Sequence, residues 1–93
     1  MQVEQLTQGP EVRHWATKEE IANGDRMFAD GQHAAAVKFY DRAEKADPKG
    51  ERSDAYLMYS NRGGCLLELK RYRQALADAE RCVALKPSWV TGH

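Results

Sequence analysis

The sequence lacks most of what catalysis and cofactor binding rest on. Its 93 residues hold two cysteines, Cys65 and Cys82, without CxxC spacing, and three histidines, His14, His33 and His93, without metal-ligand spacing. Neither a disulfide framework nor a metal site is expected, no cofactor is implied, and the thiols read as buried groups in a reducing compartment. No His neighbours Cys65 in sequence, so no nucleophile–base pair emerges and an enzyme is not expected. An excess of one charge is missing too. Fourteen Lys and Arg balance fourteen Asp and Glu, which leaves no bulk attraction to nucleic acid or to an anionic membrane. No apolar run approaches the ~18 residues that span a bilayer, and the polar start MQVEQLTQGPEVRHW lacks the apolar centre of a secretory signal. A soluble, cytoplasmic chain is the expectation. No segment alternates with period two, so no strand is expected. The adjacent Gly63 and Gly64 follow no strand and carry no GxxxxGK[ST] pattern, so they are not a phosphate loop.

What is present is helical periodicity, punctuated by glycine and proline. Residues 1–16, broken by Gly9-Pro10, read as a flexible tail. Thr17 and Glu20 have the spacing of a capping box, with Ala16 and Ile21 as a weak hydrophobic staple, so a first helix is predicted from Lys18 to Asp30 and ended by Gly31. Ala36, Val37, Tyr40 and Ala43 recur at steps of three and four, which predicts a second helix over His33–Ala46 closed by Asp47-Pro48. After the polar KGERS, Ser53 is placed to cap a third helix, Asp54–Leu69. A fourth, Tyr72–Leu85, carries Leu76, Ala79, Cys82 and Val83 on one face and is closed by Lys86-Pro87.

Shifted by 39 residues, the sequence falls on itself in kind more than in identity. Gly24 lands on Gly63, Ala36 on Ala75 and Pro48 on Pro87, while Met27 meets Leu66, Phe28 meets Leu67 and Val37 meets Leu76. Small residues meet small ones, and large apolar residues meet large ones. Glycine in a helix interior costs roughly 1 kcal/mol relative to alanine, so a recurrent glycine implies a neighbour that comes very close.

This pattern, carried by NGDRMFADGQHAAAVKFYDRAEKADP and YSNRGGCLLELKRYRQALADAERCVALKP, resembles the tetratricopeptide repeat, a helix–turn–helix unit of about 34 residues. The resemblance implies an all-α fold of two stacked units. Repeat 1 covers residues 17–50, residues 51–55 are inserted, repeat 2 covers 56–89, and residues 90–93 are the start of a further helix or a tail. Gly24, Ala36, Ala43 and Pro48 fill signature positions of the first unit. Tyr59, Gly63, Leu66, Tyr72, Ala75 and Pro87 fill those of the second. Lys70 stands where the turn glycine is usual, at a cost of about 1 kcal/mol if it takes the left-handed conformation. Asn23 and Arg62 replace a usual leucine, so packing there is expected to be looser or shared with the tail.

The resemblance also implies a function: recognition of a peptide or protein partner in a concave groove lined by the first helix of each unit. The groove positions would be Lys18, Ile21, Asp25, Phe28 and Ala29, then Leu57, Ser60, Asn61, Gly64, Leu67 and Glu68. Side-chain amides there would bond an extended backbone, and Phe28 and Leu67 would hold its apolar side chains. The phrase YSNR is similar to that of chaperone-binding members, which grip a partner's C-terminal carboxylates. In their pattern Asn61 is matched. Ile21 stands in place of a Lys, Asp25 in place of an Asn, and Thr91 in place of a second Lys. A heat-shock chaperone tail is therefore one expected partner. The alternative is a scaffold that docks to other helices or self-associates. A third unit would begin at SWVTGH, and helix four would otherwise show an apolar edge of Leu76, Ala79 and Val83.

Overall fold

The computed structural model describes residues 10–85, with side chains from Thr17 onward. Within them lie four α-helices and no strand: α1 (Pro10–Ala29), α2 (His33–Ala46), α3 (Ala55–Glu68) and α4 (Tyr72–Leu85). α1 packs on α2 and α3 on α4. The two hairpins stack through α2 and α3, and α1 also touches α3. This is the expected pair of helix–turn–helix units. Lys86 to His93 lie outside the described residues, and with them Pro87, Thr91 and the expected start of a further helix.

Both hairpin turns are built alike. After α1, the Gly31 amide donates to the Phe28 carbonyl and the Gln32 amide to that of Met27, with Gly31 at φ +78°. After α3, the Lys70 amide donates to Leu67 and the Arg71 amide to Leu66, with Lys70 at φ 63°. This is the Schellman arrangement, which satisfies carbonyls that the helix end would leave open. Lysine adopts the left-handed conformation in the second turn, as expected.

Two helix starts differ from the sequence reading. α1 begins at Pro10, not Lys18, so residues 10–16 are helix, not tail, and Thr17 is an interior, buried residue instead of a cap. A proline at the first helical position needs no amide partner and already has helical φ, so the chain can enter α1 there. Residues 1–9 lie outside the description. α3 is preceded by Asp54, not Ser53, and Asp54 makes no side-chain cap; its carboxylate takes two hydrogen bonds from Arg52, at 2.9 and 3.0 Å.

The core is continuous across both hairpins: Ala36, Val37, Tyr40, Ala43, Ala55, Met58, Tyr59, Cys65, Leu66 and Ala75 are buried. Both cysteines are free, and burial pushes the Cys65 thiol above its usual pKa, with the charge of Glu68 adding to the effect. Gly24 sits directly under the Tyr40 ring, where a Cβ would lie 2.6 Å from a ring carbon. That closeness explains the glycine. Gly63 occupies the equivalent crossing of α3 on α4 with more room, since a Cβ would lie 3.4 Å from that of Asp78 and 3.6 Å from the Ala75 carbonyl oxygen.

At Arg62 the expected loose packing is replaced by an ion cluster around a buried guanidinium. Its guanidinium grips Asp78 of α4 with two bonds of 2.8 Å, and its third nitrogen reaches Asp41 and Glu44 of α2, each at 2.9 Å. The Tyr59 ring lies 5.3 Å beneath it. Arg62 and Asp78 are 7% and 4% exposed, so this pair is shielded from water and its loss would strand a charge. Burial alone would disfavour the Arg62 cation; the bonds from Asp78 and Glu44 outweigh it and hold the guanidinium more firmly protonated than usual. Burial likewise pushes Glu44 up, but Arg62, the Tyr59 hydroxyl and Arg81 together bring its carboxyl below the usual value. One residue of α3 thus ties α2 to α4.

The connector between hairpins is held from both sides. The Asp47 carboxylate accepts from the amides of Glu51 and Arg52 at 2.9 and 3.2 Å. From the far end of the molecule, the Arg81 guanidinium donates to the Pro48 carbonyl at 3.0 Å, and Leu85 packs so closely on Gly50 (φ +66°) that a Cβ there would meet it at 2.9 Å.

Candidate functional site

The α1–α3 face is built on two ridges. Ile21, Asp25 and Phe28 recur at four- and three-residue steps on α1, and Leu57, Asn61, Gly64 and Glu68 do so on α3, so each set shares one side of its helix. The buried residues of α3, from Ala55 to Leu66, lie on the opposite side. Phe28, Leu57 and Leu67 are 39%, 50% and 55% exposed, large apolar side chains without cover. Lys18, Asp25 and Glu68 are exposed, and Ile21, Asn61 and Gly64 are half-buried. Phe28 meets the edge of the His33 ring, with centroids 6.5 Å apart.

A polar bridge joins the ridges. Asp25 Oδ1 accepts from the Asn61 amide at 3.2 Å and from the Tyr40 hydroxyl, which rises from the core of the first hairpin. Burial and the bonded Asp25 carboxylate push the Tyr40 phenol above its usual range, so its proton stays in place to donate. Beside this bridge the surface is bare, because a Cβ on Gly64 would meet nothing within 4 Å. Asn61, the residue that matches the chaperone-binding pattern, thus directs an N–H at its own scaffold. Asp25 and Asn61 are brought together, with Phe28 and Gly64 one turn away on either ridge; Leu67 sits off the α3 ridge, toward its edge. Thr91 is not among the described residues.

A concavity lies away from this face. An open cleft of about 260 Å³ is bordered by Val37, Asp41, Glu44, Leu66, Arg71 and Gln74. Its carboxylates are already engaged by Arg62. The sequence reading missed Arg62 because it was judged alone. The signal was a paired departure: where the first hairpin has Asn23 and Phe39, the second has Arg62 and Asp78, opposite charges that the hairpin geometry brings together.

Comparison with known proteins agrees with the geometry. The tetratricopeptide repeat family model matches residues 56–88. The chain carries a tetratricopeptide repeat. It is similar to stress-induced-phosphoprotein 1 of Caenorhabditis elegans, 32% identical over 76 residues, covering 82% of this chain and 22% of that protein. It is also similar to the Hsp70-Hsp90 organizing protein of Triticum aestivum, 35% identical over 75 residues, covering 81% of this chain and 12% of that protein. The E3 ubiquitin-protein ligase TTC3 of Rattus norvegicus is 36% identical over 70 residues, 75% of this chain and 3% of that protein. The chain therefore spans under a quarter of the length of these curated relatives. No solved structure matches it significantly. Among the described residues, no helix is long and apolar enough to cross a membrane.

Proposed function

We propose that this chain is a non-catalytic interaction module that receives an extended peptide along the α1–α3 face. The observation that carries the reading is the combination on that face: the uncovered Phe28, Leu57 and Leu67 flank a hydrogen-bonded Asp25–Asn61 pair beside the open surface at Gly64. Apolar anchors with a few fixed polar groups are what recognition of an extended chain needs. One of these relatives is named as an Hsp70-Hsp90 organizing protein, so a heat-shock chaperone's C-terminal tail is the first natural peptide to try.

The test is a titration followed by amide NMR shifts. With a groove-bound peptide, the amides of Phe28, Asn61, Gly64 and Leu67 move and those of Leu76 and Val83 do not. Shifts confined to α4, or none at millimolar peptide, overturn the reading.

A scaffold role is a second reading with its own observation. On α4, Tyr72, Leu76 and Val83 are 61%, 60% and 61% exposed, and Ala79 lies exposed among them on the same side. A contiguous apolar face of this kind suits another helix or a second copy. Light scattering distinguishes the two: a mass that rises with concentration supports self-association, and a constant monomer removes it.

A further inference from the structure

We propose that the polar centre of the α1–α3 groove selects a lysine or arginine of the bound peptide, with apolar side chains on either side. The proposal rests on the groove reading above and adds the chemistry of the partner. Asp25 is the deciding group. Its Oδ1 is occupied by the Tyr40 hydroxyl and the Asn61 amide, which fix the carboxylate at the junction of α1 and α3. The side chain is nonetheless exposed, and both of these bonds fall on Oδ1. A carboxylate held in this way is an acceptor prepared for a cation or an N–H group, and a charge-assisted bond to it is stronger than a neutral one.

The surroundings have the same polarity. Glu68 lies two turns along the ridge from Asn61 and is exposed. Lys18, two turns before Asp25 on α1, is the cation of the face, so its acidic half centres on Asp25, Gly64 and Glu68. The absent side chain at Gly64 lets a long basic side chain lie flat on α3, and Phe28 and Leu57 flank the site with apolar surface for its neighbours. A partner carboxylate in the same place would meet Asp25 at close range, where like charges repel, and Asn61 has already turned one N–H away from it. A tail rich in carboxylates is therefore a poor occupant of this position.

The experiment uses the full chain and labelled octapeptides, acetylated and amidated, with two leucines flanking a central position that is lysine, glutamine or glutamate. A fourth peptide ends in Glu-Glu-Val-Asp with a free carboxylate. Fluorescence anisotropy should give the lysine peptide a Kd about tenfold below that of the glutamate peptide, with glutamine between them. Asp25→Asn, which keeps an acceptor for Tyr40, should erase the difference. Added salt should weaken the lysine peptide and leave the glutamine peptide unchanged. Should Asp25→Asn fail to fold, the salt series decides alone. Equal binding of all four peptides, lost in Gly64→Phe, overturns the charge selection and leaves the groove reading intact. Tighter binding of the glutamate or free-carboxylate peptide does the same. No binding by any peptide overturns both.

Discussion

The two hairpins share a backbone plan and are held together by different chemistry. In the first, α1 meets α2 through an aromatic ring lying on a glycine, Tyr40 on Gly24. In the second, the equivalent crossing has slack at Gly63, and a two-pronged Arg62–Asp78 ion pair binds α3 to α4. The first turn uses Gly31 in the left-handed conformation, and the second forces Lys70 into it. A repeat thus preserves where helices cross and turn, while the contacts that stabilise each crossing can be exchanged.

The largest test of this contrast is Arg62. Replacing it with methionine strands the buried Asp78 and should cost about 3–5 kcal/mol in urea unfolding. The double variant Arg62→Met, Asp78→Leu should recover much of that loss, as a buried pair replaced by apolar residues often does. A loss under 1 kcal/mol would show that the cluster is not the tie described above. Gly24→Ala comes next. Its methyl enters the Tyr40 ring and should cost roughly 1–3 kcal/mol, whereas Gly63→Ala should be neutral or stabilise by up to about 1 kcal/mol through helix propensity. Equal effects at the two glycines would erase the distinction. The turns follow: Lys70→Gly should raise stability by up to about 1 kcal/mol and Gly31→Lys lower it by a similar amount, both read from the unfolding midpoint.

The smallest effect is that of acid on Glu44. Its folded pKa lies below the ordinary value of 4.5. The unfolded state therefore binds the proton first as pH falls, so the stabilisation is complete above about pH 4.5 and is lost as pH drops through the lower folded value. Glu44→Gln should flatten that part of the stability–pH curve. An unchanged curve would mean that the carboxylate contributes nothing through Arg62.

Much of the architecture was legible because local signals agreed. Gly31 and Pro48 marked helix ends, and the three–four spacing of Ala36, Val37, Tyr40 and Ala43 named the core face of α2. Matching small residues at Gly24 and Gly63 located the helix crossings. The start of α1 differs from the expectation because Thr17 and Glu20 satisfy a capping pattern that an interior turn can also carry, and Pro10, which can break a helix, also serves as a first helical residue. Arg62 was misread because burial of a charge depends on partners sixteen and more residues away. On the candidate face, the resemblance implied Asp25, Phe28, Asn61 and Gly64 as positions along the first helices of the two units. It held no sign that the Tyr40 hydroxyl would come up from below to hold Asp25.

The grip of Arg81 and Leu85 on Pro48 and Gly50 bears on how such arrays are cut and joined. The link between the units takes its shape from the end of the chain's last described helix as well as from its immediate neighbours. A shortened version ending before Arg81 would lose that outer hold on the link, even with every residue of both ridges present. For anyone moving a unit into another array, the link and the final turn of α4 are one part and must travel together.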